Sequence, residues 1–375
     1  MEDEQSKPRE AADFFLITAP EYDAVERAAA EGSSGRNWTT GIEAILHQAP
    51  GSNHQVRLNL TAEEQLAGLT PEILETLARK QDSDGVFALL YTTRLLAPPL
   101  GQGIGEPRSV VVDIDDVMEK IGLTARSTAD RLEKRRRVYQ YLIFGARAEV
   151  HGQRRGTYKN KVTGEVIETV LETALWYMLD KEWPAQKALF PDSEEVPVRV
   201  EMILSREWSK LLSSPQTAQY LPMGELLGSI PPGKPSGAWA RIIGLALANF
   251  WRRNRRQVLD GTLRPKRRDL LDKYPPATGP VDEILESDKP HRAIEYWCGA
   301  MNILQEQNFI EKSGEALVTA TATKVRLGRQ GWVDRWLDER IDIKPSGQLR
   351  EVMLGFSLPA EIKATPKRGR PKKQK

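Results

Sequence analysis

Two stretches of this chain have the residue types and spacing of phosphate chemistry. In VVVDIDDV, residues 110–117, a β-branched run ends in Asp113 and Asp115, two residues apart. An aspartate at a strand end can attack phosphorus while a second handles the proton and Mg²⁺ screens the charge. In GSIPPGKPSG, residues 228–237, Gly228, Gly233 and Lys234 have the spacing of a loop that cradles phosphate on backbone N–H groups. Pro231 and Pro232 remove two of those donors, however, and Pro235 stands where a Ser or Thr would bind Mg²⁺. No hydrophobic strand leads in, so the segment predicts a rigid lead into a helix capped near Ser236, with no ATPase activity. The single cysteine, Cys298, sits beside Trp297 in a helical pattern and reads as a small buried hydrophobe.

The Asp113-x-Asp115 pair resembles the nucleophile motif of haloacid-dehalogenase-type phosphatases. That resemblance implies alternating strands and helices, with a lysine and paired acids on later strand ends. No Asp-Asp pair or Gly-Asp motif follows, and the next segments are basic helices. Asp113 or Asp115 is therefore expected to cap the helix that follows it, and a Mg²⁺-dependent phosphatase is kept as the remote alternative.

Cations placed to meet phosphate are more abundant. Arg252, Arg253, Arg255 and Arg256 fall within five residues, and Arg264, Lys266, Arg267 and Arg268 follow closely. Cations at a helix C-terminus answer its dipole, but four arginines in five residues exceed that need. The final stretch PKRGRPKKQK, residues 366–375, carries six Lys or Arg and no acid. The whole chain has a formal charge of only +2, so without this tail it is net acidic, and any basic surface rests on local placement. Arg368-Gly369-Arg370-Pro371, flanked by lysines, resembles an AT-hook. Its glycine lets the backbone sink into a narrow groove, its proline keeps it extended, and its arginines follow the negative floor of A·T tracts. A nuclear-localisation tract or a solubilising tail shares this composition.

The elements that must position these cations follow from periodicity. Residues 1–60 show little of it and read as a mobile arm with one short helix near Ala19–Ala30. PEILETLARK and GVFALLYTTRLL have helical spacing and stop at the Pro98, Pro99, Gly101, Gly103 cluster. SVVVDI predicts a short strand, and Gly122 divides two helices, 115–121 and 127–144. Strand, turn and strand follow in RAEVHGQ, a loop containing KNKVTGE, and VIETVLETALWYML, then a further strand in VPVRVEMIL. A similar order returns: a long apolar helix over 236–254, the helix KRRDLLDKY, a helix over 290–307, a hairpin-like FIEKSGEALVTATATKV and a closing helix over 331–340.

Helix, strand, helix, turn, helix and hairpin, met twice, is the layout of a winged helix. The fold expected is therefore α+β and helix-rich: an N-terminal arm (1–60), winged-helix domains at 61–205 and 206–345, and a C-terminal tail (346–375) carrying the AT-hook-like motif. In 127–144, Ser127 and Asp130 form a capping-box-like start; Ala129, Leu132, Tyr139, Leu142 and Ile143 make one face, leaving Arg131, Lys134, Arg135 and Arg137 on the others. In 290–307, Ile294, Trp297, Met301 and Leu304 make the buried stripe. Asp288 is the expected cap and Pro290 sits in the first turn. Lys289, His291, Arg292, Tyr296, Asn302 and Gln305 then face outward, a set chemically suited to base edges in a major groove. Arg154, Arg155, Lys159 and Lys161 fall in the first hairpin, and Lys324, Arg326 and Arg329 near the second. Arg253, Arg256, Arg267 and Arg268 flank the second unit as backbone contacts.

Tandem winged helices of this size, with SGAWARIIGLALANFWRRNRR leading into HRAIEYWCGAMNILQEQNFIEK, resemble plasmid replication initiators of the Rep type over roughly residues 70–345. The resemblance implies an initiator that binds direct repeats at an A·T-rich origin and recruits a host helicase. It also implies a second domain that reads the repeat through Lys289, His291, Arg292, Tyr296 and Asn302, and a first domain that supports dimerisation and backbone contact. The connection 274–287 is longer than a tight helix–turn–helix turn. A winged-helix transcriptional regulator is the alternative.

Composition bounds these readings. At 375 residues with 40% apolar and 28% charged, the chain can bury one large core or two ordinary ones. No run of eighteen apolar residues exists and MEDEQSKPRE is acidic and polar, so the expectation is a cytoplasmic protein without membrane contact. One cysteine and four scattered histidines predict no disulfide, no structural zinc and no cofactor. Deleting residues 366–375 is expected to lower affinity mainly for duplexes with A·T-rich flanks, measured by gel shift; unchanged binding returns the tail to a solubilising role.

Overall fold

A computed structural model describes residues 14–17, 20–41, 44–50, 52–60, 64, 71–97, 107–152, 156–159, 166–169, 173–183, 196–212, 218–221, 227–254, 257–258, 261, 263–272, 291–311, 331–347 and 349–350. The elements run β1 (Phe14–Ile17), α1 (Pro20–Ala30), β2 (Trp38–Thr40), β3 (Ala44–His47), β4 (His54–Asn59), α2 (Glu72–Arg79), α3 (Ser83–Leu96), β5 (Ser109–Asp113), α4 (Ile114–Lys120) and α5 (Thr128–Arg147). They continue with β6 (Ala148–Gly152), β7 (Gly156–Lys159), β8 (Val166–Thr169), β9 (Trp176–Glu182), β10 (Arg199–Leu204), α6 (Arg206–Leu212), β11 (Ala218–Leu221), α7 (Pro235–Arg253), α8 (Arg267–Leu271), α9 (His291–Glu306) and α10 (Trp332–Asp338). This is a helix-rich α+β chain whose sheets are small and antiparallel: β1-β11, β2-β3-β4-β6, β5-β10-β9 and β7-β8.

The α3 helix lies at the centre of the N-terminal half. Its sequence SDGVFALLYTTRLL is apolar nearly all round, as a helix buried on every side must be, and only Arg94 and Leu95 are part-exposed. Asp82 starts it by accepting from the backbone N–H groups of Asp84 and Gly85 at 3.0 and 3.2 Å. Against α3 packs α1, with Tyr22 fully buried and its hydroxyl 2.9 Å from Thr93 Oγ1. The four-stranded sheet buries alternate residues, Val56 and Leu58 on β4 and Ala148 and Val150 on β6, beneath these helices. Helix α1 and strands β3 and β4, in a stretch expected to form part of a mobile arm, are thus built into the core.

The strand β6 also corrects the expected first hairpin. The sequence predicts RAEVHGQ as the first strand of a hairpin, but Ala148–Gly152 pairs with β4 instead, and the hairpin is β7–β8. The three-stranded sheet β5-β10-β9 closes on α3, α4 and α5, with Val112, Val200, Met202 and Trp176 buried. Trp176 fixes the end of α5: its indole N–H donates to the Leu142 carbonyl at 2.9 Å, and a side chain at Gly145 would meet the ring at 2.2 Å. Gly145 therefore lets the strand lie against the helix.

In the C-terminal half α7 is buried continuously from Gly237 to Asn249 and packs on α9. Gly299 allows the close approach, because a Cβ there would lie 2.4 Å from Ser236 Oγ. The helix begins at Pro235, with Lys234 as an N-cap that makes no side-chain bond, so Ser236 is inside it and not its cap. At the other end of α9, Asn308 adopts a left-handed conformation, and Phe309 N–H returns to the Leu304 carbonyl at 2.8 Å, closing a Schellman turn.

The two halves share one contiguous hydrophobic core that runs from Tyr22 to Leu349. A boundary at 205/206 does not divide it cleanly: Trp208 on α6 is fully buried against Tyr22, with ring centroids 5.8 Å apart, and β11 pairs with β1. Across the junction Arg241 on α7, 1% exposed, donates to Asp84 on α3 at 2.9 Å. Replacing Asp84 by Ala is expected to cost about 3–5 kcal/mol, because it strands a buried guanidinium. Urea unfolding of the full chain measures this; a loss below about 1 kcal/mol would mean that Arg241 reaches other compensation.

Candidate nucleic-acid interface

The α4–α5 pair is built from local signals. Asp113 caps α4, its Oδ1 accepting from Asp115 N–H at 2.9 Å and Asp116 N–H at 3.4 Å, as the capping expectation required. Gly122, at φ +77°, ends that helix, with Leu123 N–H bonded to the Met118 carbonyl at 2.9 Å. No residue with a Cβ suits the turn, since a side chain at Gly122 would also meet the Gly228 carbonyl at 2.9 Å. Ser127 then caps α5, accepting from Asp130 N–H at 3.2 Å, while the Asp130 carboxylate accepts from Arg126 N–H at 2.7 Å.

Three of the cations expected to meet DNA lie on the first turns of α5, and all three have carboxylate partners. Arg131 Nη2 donates to Asp115 Oδ2 at 2.6 Å; Arg135 donates from Nε to Asp115 Oδ1 at 2.6 Å and from Nη2 to Oδ2. Lys134 bonds Asp130 at 2.8 Å and the Thr124 carbonyl at 2.7 Å. The hydrogen bond from Arg135, opposed by partial burial and reinforced by Arg131, holds the Asp115 carboxyl at about 2, and the same contact raises Arg135. Lys134 likewise lowers Asp130.

The second half of α5 turns inward. Its buried residues are Val138, Tyr141, Leu142, Phe144 and Gly145, whereas Ala129 is exposed and Leu132, Tyr139 and Ile143 are only part-buried. The apolar face is thus rotated from the expected one, and Arg137, expected outward, donates to Asp82 at 2.5 Å and to Asp84 at 2.8 Å. Burial opposes the charge on Arg137, but Tyr141, Asp82 and Asp84 hold its pKa raised. Burial pushes Asp84 up and Arg241 down, each opposed by the other's charge.

The α9 helix presents the expected stripe: Ile294, Trp297, Met301 and Leu304 are buried. On its other side Arg292 and Asn302 are exposed and His291 and Tyr296 part-buried. Tyr296 leans edge-on against Trp239 at 5.8 Å, which fixes its ring. Arg292 and Asn302 make no polar contact among the described residues.

Arg267 departs from its expected role as a backbone contact. It is 1% exposed, its Nη1 donates to the Trp336 carbonyl at 2.9 Å and Glu339 at 2.7 Å, and its guanidinium lies 5.4 and 5.3 Å from the Trp297 and Trp336 rings. It braces α8, α9 and α10 from inside and cannot touch a duplex. Arg268 stays near the surface, paired with Asp338 and Asp334 at 3.2 Å each. Arg253 is the last residue of α7. Arg154, Arg155, Arg256, Lys289 and the motif Arg368, Gly369, Arg370, Pro371 lie outside the described residues, as do residues 312–330 of the second hairpin.

Two features were not foreseen. Arg199 on β10 bridges Asp113 at 3.2 Å and Glu182 at 3.4 Å, adding a third arginine near α4; nothing in a single strand's pattern marks it. Arg241 could have been singled out, as the only charge between Lys234 and Arg252 in an otherwise apolar helix. The sheet β5-β10-β9 also leaves Val111, Tyr177 and Leu179 exposed, with Trp183 just beyond.

Because the Asp115 carboxyl is lowered from 3.8 to about 2, its contribution to stability is present at neutral pH and is lost as pH falls through that interval. Asp115→Asn is therefore expected to be less stable than the parent at neutral pH, with the difference vanishing toward about pH 2, as followed by denaturant midpoints across pH. A difference independent of pH would mean that the carboxylate charge is not what is lost.

No protein-family model, no curated protein and no solved structure significantly matches this chain.

Proposed function

We propose that this chain is a sequence-specific double-stranded-DNA-binding protein built on tandem winged helices, acting as a plasmid replication initiator. The observation that carries the reading is an element order: α3, β5, α4, a glycine turn, α5, then β9 and β10, with β5 paired to β10 and β10 to β9. Helix, strand, two helices and a returning pair of strands, the first strand lying against the last, is the order that a winged helix requires, and it supports that reading. The insertion β6-β7-β8 sits between α5 and β9. In the second half, α9 supports the reading through its buried stripe and its outward Arg292 and Asn302.

On this reading α9 enters the major groove and His291, Arg292, Tyr296 and Asn302 choose bases, while arginines elsewhere displace counterions and set register. The protein performs no chemistry on the DNA. Its partners are direct repeats with A·T-rich flanks, a host helicase and a second copy of the chain, the last suited to the exposed apolar sheet face of Val111, Tyr177 and Leu179. Its place is a bacterial cytoplasm, beside a plasmid or the nucleoid. A transcriptional regulator uses the same surfaces, and footprinting on the DNA flanking the gene separates the two: an array of direct repeats fits an initiator, a lone inverted repeat a repressor.

Replacing Arg292 by Ala is expected to weaken binding to the footprinted site by about 1–3 kcal/mol and to random duplex far less, measured by fluorescence anisotropy on both. Equal loss on the two would assign Arg292 to phosphate alone, and no protected site would remove the DNA reading.

A further inference from the structure

We propose that Asp115 is a positioning residue that holds Arg131 and Arg135 as a two-pronged clamp for a DNA phosphate; the inference rests on the DNA-binding reading above. The two arginines are four residues apart on α5, so they project from one face one turn apart. They stand on the half of the helix that precedes its first buried residue, Val138. One carboxylate holds both: Asp115 takes the Nε and Nη2 side of Arg135 and a single nitrogen of Arg131. Among the described residues an outer edge of each guanidinium is left without a partner, and that edge donates to a pair of phosphate oxygens.

The exposures divide the work. The Arg135 side chain is 20% exposed and the Arg131 side chain 52%, so Arg135 is the anchored prong and Arg131 the reaching one. The carboxylate itself cannot follow them outward. It is the second residue of α4, behind the Asp113 cap and ahead of the Gly122 turn that fixes α4 against α5. With Arg199, which approaches the same helix start through Asp113 and Glu182, three arginines meet three carboxylates, so it is the outer edges of the arginines and not an excess of charge that suit a phosphate.

The alternative role of Asp115, repelling or masking, has the opposite sign. Removing an anion from a DNA-facing surface strengthens phosphate binding by simple electrostatics. Removing a positioning anion weakens it, because two long side chains must then be ordered on binding.

The test uses the full chain and a fluorescently labelled random-sequence duplex, titrated by anisotropy over a range of salt. Asp115→Asn is expected to bind on the order of tenfold more weakly, with a salt dependence shallower by about one phosphate contact. Arg131→Gln, a change at an exposed site, is expected to lose affinity in the same direction and controls for misfolding of the first variant. In an Arg131→Gln/Arg135→Gln background, adding Asp115→Asn is expected to change nothing further; an undiminished additional loss would mean that Asp115 does not act through the arginines. Equal or tighter binding by Asp115→Asn overturns the clamp while leaving DNA binding standing. A parent chain with no salt-dependent binding to any duplex overturns the DNA reading and the clamp with it.

Discussion

Three helices meet on the Asp84 carboxylate. It receives Arg137 from α5 and Arg241 from α7, while Asp82 takes Arg137 and the Tyr141 hydroxyl, so two cations face two anions, with Asp84 and Arg241 buried and Arg137 reaching the surface. Burying such a group is expensive, and the Nε and Nη2 atoms of Arg241 find no partner among the described residues. Apolar residues of equal volume would often stabilise as well or better. What the ions contribute is a unique fit: α3 and α7 are apolar nearly all round, and apolar surfaces slide over one another more readily than charges leave their counterparts. Arg241 also lies 4.2 Å from the Phe87 ring, which shelters it from water and further fixes the register of α7 on α3.

That constraint explains why α5 has two characters. Its C-terminal half is held by Arg137, Tyr141 and the Trp176 contact at Gly145, and it belongs to the core. Its N-terminal half, borne on that fixed base, carries Arg131, Lys134 and Arg135 away from the core. A helix that is rigid at one end and cationic at the other can present charge without first becoming ordered. In α9 the same division runs across the helix instead of along it, with Trp297 pressed on Arg267 and Arg292 facing out.

The sequence was legible where burial follows from neighbours in the chain. The stripe of α9 was plain because Ile294, Trp297, Met301 and Leu304 repeat at helical spacing, and the Asp113 and Ser127 caps because their oxygens serve N–H groups two or three residues on. It was opaque where burial comes from far away. Strands β2, β3 and β4 are short and mix polar with apolar residues, and their place depends on β6, some ninety residues later: Asn59 bonds Glu149 at a separation of 90. Arg267 sits in a basic run like its neighbours, and only the rings of Trp297 and Trp336, brought in by other helices, make it interior. A run of arginines predicts Arg137 on an outward face. The carboxylates that draw it inward lie 53 and 55 residues upstream.

The pairing of Phe14–Ile17 with Ala218–Leu221 has a temporal side. During translation the first strand leaves the ribosome about two hundred residues before its mate exists, an interval of roughly 10–40 s at ordinary elongation rates. For that time its hydrogen-bonding edge has no native occupant, and FFLI is a segment rich in the residues that self-associate. The order in which this topology is spelled out thus leaves Phe14–Ile17 an open edge until Ala218–Leu221 has been made.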